Sequence, residues 1–553
     1  MLRKKKTIIK RLVIFSITLM FFFTAIQLST VSTSSITDNV SQKPRCVFQK
    51  IENFQPTKIQ KNLDSKIFQT KGILGTDSLI YGGVDELIVQ NPTITDNNGQ
   101  NILIGFEVMP DWLEPADPWF RYSNDGGVTW LPEDSANGWR LSDNEYYTIL
   151  PTIDFAGDKG GFGTILPYDQ NNWVTFNFPD IVNPESEQGE WTANSWLADA
   201  MMSEWHSAEV CGVNSAFAPC EEALGLAIWT GDTVDDTDNG LWYGWEINDG
   251  AKQFTVYPDE GTTPFDFDAD QAVNDVDLST GMYFQGFYRF NDESPEHYPD
   301  GVFLRGVQLI KDSNEWTNSW ETLVHIPGAT NPNIKAADGN CFLVYEINGG
   351  IACHYSSDNG VNFNTVNIVN NGKYPSISFA GNNIVVAYIT NGNIYNSISE
   401  DGGKTWTESP VPVNDLDKSA IEQTHCVDVS SSYITWTDNR HGVNKNSVYL
   451  DTTGIATPII SIESITGGFG ITTVIKNIGS VDANNIDWSI SFNGGTFFGG
   501  DNSGTIDTLA VGQTVQIKSK FLIGFGNTEI TINVGGITQT KSAKVILCFI
   551  TGL

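Results

Sequence analysis

From about residue 76 onward, apolar and polar positions alternate in short runs separated by Gly, Asn, Asp and Pro. Period-two alternation bounded by such residues predicts β-strands. The pattern is clearest where it repeats. Pro332-Asn333-Ile334 through Phe363 returns 43 positions later as Pro375-Ser376-Ile377 through Trp406, and Tyr345 and Tyr388 each fall 13 residues after their Pro. A strand-rich repeat of this length predicts propeller blades. Looser copies open at Pro92-Thr93-Ile94, with an insertion around Trp112 to Trp119, and at Leu150-Pro151-Thr152-Ile153. Further units carry Leu224 to Trp229, Gly281 to Phe290 with Val302 to Ile310, and Tyr433 to Trp436. That makes six or seven blades over 76–455. A propeller hides its open sheet edge, so the strand around Leu79 to Val89 is expected to join the last blade near Tyr433 to Leu450.

Two stretches depart from this pattern. In Trp191 to Ala208 the positions Trp196, Leu197, Ala200, Met201 and Trp205 follow helical spacing, which predicts a short amphipathic helix capping a loop. From about 456 the chain becomes rich in Gly, Thr and Ile. Ile471 to Gly479, Ile486 to Ile490 and Glu529 to Val534 alternate. About seven short strands in 456–553 predict an immunoglobulin-like β-sandwich. The expected fold class is therefore all-β: a six- or seven-bladed β-propeller followed by an immunoglobulin-like β-sandwich.

One motif recurs inside the repeat, Ser-x-Asp-x-Gly-x-x-aromatic: Ser123, Asp125, Gly127, Trp130; Ser356, Asp358, Gly360, Phe363; and Ser399, Asp401, Gly403, Trp406. The carboxylate can accept the N–H groups of its own turn, the glycine supplies a positive φ, and the aromatic plugs the turn from beneath. The motif resembles the Asp-box of sialidase-like β-propellers. In that family three arginines grip a substrate carboxylate beside a Tyr nucleophile helped by Glu, with an Asp acid/base. The propeller region here has Arg121, Arg140, Arg289, Arg305 and Arg440, and it lacks the family's Phe/Tyr-Arg-Ile-Pro start. Sialidase activity is therefore not expected, and the Asp-box aspartates are read as turn residues. Lys476-Asn477-Ile478-Gly479, Leu509 to Gly512 and Gly524-Phe525-Gly526 resemble adhesion-related (CARDB-like) sandwich domains of archaeal and bacterial surface proteins.

Charge and address come next. With 31 Lys and Arg against 66 Asp and Glu, the formal charge is −35, which disfavours nucleic acid and anionic lipid as partners. The N-terminus is basic, with Arg3, Lys4, Lys5, Lys6, Lys10 and Arg11 before an apolar run from Leu12 to Leu28 and a Ser/Thr-rich stretch. Residues 1–35 read as a signal peptide or N-terminal anchor, and 36–75 as a polar tether. A membrane enters only through that first segment, and the expected location is extracellular or at the cell surface.

Candidate chemistry is sparse. Seven cysteines occur; Cys211 and Cys220 are the first disulfide candidate, and Cys341 and Cys353 flank a hairpin in which a bond would be strained. Two acidic stretches have oxygen ligands at near-calcium spacing. One is Asp235, Thr237, Asn239 and Glu246; the other is Asp266, Asp268, Asp270 and Asp277. No other cofactor and no catalytic residue stands out, since no metalloprotease, nucleophile-elbow or P-loop motif is present. Trp112, Trp119, Trp242, Tyr243, Trp245, Trp316 and Trp320 fall in or near predicted loops, where aromatic faces stack on sugars. These features favour a non-catalytic recognition or adhesion protein for glycan, polymer or surface protein. The alternatives are a glycosidase-like hydrolase with axial carboxylates and a structural surface-layer component. A convergent carboxylate pocket with perturbed titration would favour the enzyme; a flat, aromatic-studded axial face would favour binding.

Overall fold

The computed structural model describes residues 46–50 and 77–82, the strands and some turns of 88–308, then 321–442, 445–455, 458–479, 481–535 and 537–553. All its regular elements are strands. Seven antiparallel sheets follow one another in the chain. Blade 1 is Ile88–Asn97, Asn101–Met109, Asp117–Ser123 and Trp139–Arg140; blade 2 is Thr148–Phe155, Gly161–Pro167, Trp173–Asn177 and Asn194–Leu197. Blade 3 is Met202–Gly212, Ala223–Thr233, Gly240–Ile247 and Lys252–Tyr257; blade 4 is Asp268–Asp277, Met282–Phe290, Gly301–Gln308 and Glu321–Pro327. Blade 5 is Thr330–Ala337, Asn340–Ile347, Gly350–Ser356 and Asn364–Val369; blade 6 is Lys373–Ala380, Asn383–Thr390, Asn393–Ser399 and Thr407–Glu408. Blade 7 takes Val427–Ser430, Tyr433–Asp438 and Ser447–Thr452 from the end of the region and its outer strand, Ser78–Tyr81, from the beginning. The first strands of successive blades are neighbours all the way round, and that of blade 7 lies beside that of blade 1. This is a closed seven-bladed β-propeller, with the closure that an open edge demands.

Two expectations are corrected. The helical spacing in Trp191 to Ala208 does not give a helix: Trp196 and Leu197 lie on the strand Asn194–Leu197 and Trp205 on Met202–Gly212, while Ala200 and Met201 lie outside the described residues. Edge-to-edge pairing of whole blades overrides a local period spread over so few positions. Within the stretch read as a tether, Cys46–Lys50 pairs in parallel with Glu321–Pro327 as a fifth strand of blade 4.

Each first strand runs from one end of the propeller to the other. Antiparallel order then puts the turns after the first and third strands at the second end, and the turn after the second strand back at the first. The Asp-boxes follow third strands, so all three sit at the second end. Their geometry repeats. In blade 6 the buried Ser399 hydroxyl donates to Asp401 Oδ1 at 3.0 Å and accepts Gly403 N–H at 2.9 Å, while Thr405 donates its N–H to Oδ1 and its hydroxyl to Oδ2 at 2.8 and 2.7 Å. Asp125 and Asp358 accept the matching bonds from Thr129 and Asn362. Gly127, Gly360 and Gly403 hold φ of 82°, 79° and 84°, which an L side chain resists. Trp406 tucks under its turn and donates Nε1–H to Gly403 O at 3.0 Å.

Asp401→Ala is expected to cost about 0.5–2 kcal/mol, as for other lost cap and turn bonds, read from the urea midpoint of the full chain. Burial pushes the Asp401 carboxyl up, but the Thr405 and Ser399 bonds outweigh it and hold it below its ordinary value of 3.8. That stabilisation is present above pH 3.8 and is lost as pH falls through the lowered folded value. A variant as stable as the parent at neutral pH would remove the turn role.

After blade 7, a three-stranded sheet (Ile460–Thr466, Thr472–Asn477, Thr514–Lys518) packs on a larger one built around Leu522–Val534 and Ile537–Leu547. Ile475, Ile490, Ile530, Ile532, Val534 and Val545 form their shared core. This two-sheet unit meets the propeller at the second end, where Ile459 and Ile478 stand over Gly99 and Gly126 of blade 1. Among the described residues, the first end is left clear of it.

Candidate functional site

The first strands line an axial cavity of about 510 Å³. Its rim at the first end has a repeated backbone feature. Asn91, Gln271, Asn331, Tyr374 and His425, at the start of the first strands of blades 1, 4, 5, 6 and 7, have φ between 50° and 58°. Side chains other than Gly adopt this region rarely and at a cost of roughly 1–3 kcal/mol. Polar contacts hold the rim in place. Asn91 donates to Glu107 at 2.9 Å and accepts from Gln423 at 3.1 Å; Asn331 donates its amide to Glu346 at 2.8 Å and its N–H to Gln271 Oε1 at 2.7 Å. Burial raises the Glu346 carboxyl, against the Tyr374 N–H and Asn331 bonds. Burial lowers His425, leaving its ring neutral near pH 7 despite the field of Asp270. Amides, a phenol and an imidazole around one opening form a set of donors and acceptors suited to sugar hydroxyls.

Just inside the rim the pairing register slips once in the first hairpins of blades 1, 2, 4, 5 and 6, and resumes at Thr93, Thr152, Val273, Asn333 and Ser376. This slip supplies a common height marker. Two residues further on, one layer of the cavity carries Thr95, Asp154, Asp275, Lys335 and Ser378. Two carboxylates and one ammonium thus share a level, with Asp154 on blade 2 and Asp275 on blade 4.

Among the described residues six aspartates line the cavity, and most have structural partners. Asp428 joins three blades: Oδ2 accepts Ile94 N–H of blade 1 at 2.8 Å, and Oδ1 accepts the Ser376 hydroxyl of blade 6 at 2.6 Å. Asp96 accepts Gly99 N–H and the Ser430 hydroxyl, both at 2.6 Å. Asp277 accepts Gly339 N–H at 2.6 Å, Asp338 N–H at 3.1 Å and the Ser279 N–H at 2.8 Å. Asp275 differs. Oδ2 is fixed by Ala336 N–H at 2.7 Å, while Oδ1 faces Lys335 Nζ at 3.9 Å. Burial drives its carboxyl up to about 6; Lys335 and the Ala336 N–H oppose the rise, and the Asp154 charge adds to it. Asp154, which accepts the Thr95 hydroxyl at 2.8 Å, is thus within electrostatic reach of Asp275. A carboxyl that holds its proton this tightly, with a second carboxyl within electrostatic reach, suits a proton donor of glycosidase type.

Of these aspartates the sequence named only Asp277, as a calcium ligand, although a signal for the shared layer was present. The strand openings Pro92-Thr93-Ile94, Pro151-Thr152-Ile153, Pro332-Asn333-Ile334 and Pro375-Ser376-Ile377 mark the same slip, so counting two residues past the middle one reaches Thr95, Asp154, Lys335 and Ser378.

The second calcium candidate does not fit. Asp268, Asp270 and Asp277 lie on one extended strand, Asp268–Asp277, not in a loop, and a rise of about 3.3 Å per residue spreads them along that strand; Asp266 lies outside the described residues. Of the first candidate, Glu246 lies on Gly240–Ile247, and Asp235, Thr237 and Asn239 lie outside the described residues. Among the described residues no group of three or more His, Cys, Asp or Glu could hold a metal ion. Cys211 pairs in register with Leu226, and Cys220 lies outside the described residues. Cys341 and Cys353 are free and buried, opposite Ser356 and Val344 respectively, so they are out of register for a bond.

The arginines take other roles. Arg121 donates to Ile80 O at 2.6 Å, Arg305 to Gln285 at 3.0 Å, Arg289 lies over the Phe303 ring, and Arg440 binds Asp77 and Asp438. Among the described residues lining the cavity there is no arginine.

No family model matches the chain, and no curated protein matches it. Solved structures similar in fold include an α-L-arabinofuranosidase of Fusarium graminearum in complex with arabinobiose, at 11% identity and TM-score 0.37, covering 69% of this chain and 98% of that one. An ulvan (polysaccharide) lyase aligns at 10% identity and TM-score 0.42 over 68% and 96%. Trypanosoma rangeli sialidase with the inhibitor DANA aligns at 10% identity and TM-score 0.35 over 82% and 84%. The expectation of a non-catalytic recognition or adhesion protein is corrected here. That role called for a flat, aromatic-studded axial face; the axis instead holds a concave pocket of carboxylates, one with a strongly raised titration.

Proposed function

We propose that this chain is a glycan-directed hydrolase of glycosidase type, with its chemistry on the propeller axis. The observation that carries the reading is the pair Asp154 and Asp275, set at one level of the cavity, with the Asp275 carboxyl raised to about 6. Protonated Asp275 donates to the departing glycosidic oxygen, and Asp154 stabilises the positive charge that develops on the sugar ring or activates its nucleophile. The fixed amides and Tyr374 at the rim hold the sugar hydroxyls. Among the described residues the cavity is rich in carboxylates and carries no arginine, which disfavours sialic acids and uronates as substrates, because desolvating a further carboxylate beside these acids is costly. The basic, apolar N-terminus supports export, so the glycan would be met outside the cell.

The test is product release from a panel of neutral, amino-sugar and acidic oligosaccharides, with the full chain. Reducing ends are expected to accumulate with neutral or amino-sugar substrates and not with acidic ones. An absence of product across the whole panel would sink the hydrolase reading.

A further inference from the structure

The two-sheet unit carries an apolar face that nothing in the described chain covers. The Phe469 and Phe549 rings touch in a tilted pair with centroids 4.2 Å apart, and the two are cross-strand partners. Phe549 pairs with Ile546, Ile546 with Phe525, and Ile523, two residues before Phe525, with Phe498. These six side chains therefore form one continuous patch across five strands. Their neighbours Leu522, Val545 and Ile550 point the other way, into the core. Phe469, Phe498 and Phe525 are 77%, 67% and 69% exposed, and Phe549, Ile523 and Ile546 are 43–44% exposed.

We infer that this face is the seat of a second copy of the chain, joined through a two-fold axis. Three arguments favour that occupant. The first is area. With an aromatic side chain offering about 150–250 Å², the six expose on the order of 700 Å². That exceeds the few hundred Å² usual on a monomer and approaches the roughly 800 Å² per partner of a stable complex. The second is composition. Phe and Ile without polar tips match the core of a homodimer interface, whereas sugar hydroxyls would find no partner on them. The third is charge. Lys544 and Glu529 continue the same exposed face beyond Ile546 and Phe525. A rim holding both signs is self-complementary under two-fold rotation, since Lys544 of one copy can meet Glu529 of the other. The face lies on the unit packed against the second end of the propeller, so pairing leaves the rim of the axial cavity open.

The experiment is light scattering with size exclusion on the full chain across a concentration series, with Phe525→Asp and Ile546→Glu as variants. Both side chains are already solvent-exposed, so folding is not at stake, and an unchanged thermal melt confirms that. The parent is expected to run as a dimer, and either variant to raise the dimer dissociation constant by at least about 30-fold, as loss of an interface hot spot does. A parent that stays monomeric at the highest concentration, an open-ended assembly, or a variant that dimerises as tightly as the parent would each overturn the inference. So would a monomer that sediments with phosphatidylcholine or phosphatidylserine vesicles through Phe525, since the occupant would then be a membrane.

Discussion

Asp275→Asn is expected to lower kcat/KM by about 10²–10⁴-fold on whichever glycan the parent cleaves, the usual contribution of a positioned general acid. The substitution is nearly isosteric. Its amide oxygen can still accept Ala336 N–H, which Asp275 Oδ2 accepts at 2.7 Å, so the tie between blades 4 and 5 survives while the transferable proton is lost. The pH dependence gives an independent check. A general acid works in its protonated form, so activity of the parent should fall as pH rises through about 6, and that limb should be missing from the variant's residual rate. Stability moves with the same group. The folded carboxyl binds its proton more tightly than the unfolded one, whose ordinary value is 3.8. As pH rises from about 4 to about 6 the folded state must give up that proton or pay for a buried charge, so the parent should lose stability relative to Asp275→Asn across this window and stay lower above it. Denaturant midpoints at several pH values measure this. A fully active variant, or a parent whose rate does not fall above pH 6, would rule out Asp275 as the donor.

Arg440→Ala is expected to cost about 3–5 kcal/mol, the penalty for removing one partner of a buried ion pair. Arg440 lies 3.8 Å above the Tyr449 ring and grips Asp438 with Nε and Nη2, both at 2.8 Å, while Nη2 also reaches Asp77. Asp438 is fully buried and further held by Trp436 Nε1–H at 3.0 Å and the Ser419 hydroxyl at 2.6 Å. Asp77 immediately precedes Ser78–Tyr81, the strand that closes the ring, and exchanges N–H to carboxylate bonds with Asp415 at 2.9 and 3.2 Å. Removing the guanidinium leaves two carboxylates facing each other at the seam. The measurements are the urea midpoint and the rate of proteolysis near Asp77, which should rise as the closing strand frays. A loss below about 1 kcal/mol with unchanged cleavage would show that the seam holds without Arg440.

Much of the architecture is legible in the residues. The 43-residue repeat and the three Asp-boxes mark blades, because a hairpin tip needs a local acceptor and a positive φ wherever it recurs, and both requirements are met within eight residues. Closure by the first strand follows from the cost of an unpaired edge. The helix expected from Trp196, Leu197, Ala200, Met201 and Trp205 fails because strand pairing is decided by partners far along the chain. The calcium loop at Asp266 to Asp277 fails for the same reason: the stretch is claimed as the first strand of blade 4.

The axial site depends on tertiary structure more than any other feature. Asp154 and Asp275 are 121 positions apart in the sequence, and neither stands out among 66 acidic residues. Only the ring, together with the matching slip in the first strands of blades 2 and 4, sets them at one height, and only burial there separates Asp275 from an ordinary surface aspartate. The sequence by itself thus determined the local units, because turns and alternation are satisfied by near neighbours. The tertiary structure alone decided which carboxylates share the cavity and what their charges cost, because those quantities depend on distance and solvent exclusion across blades.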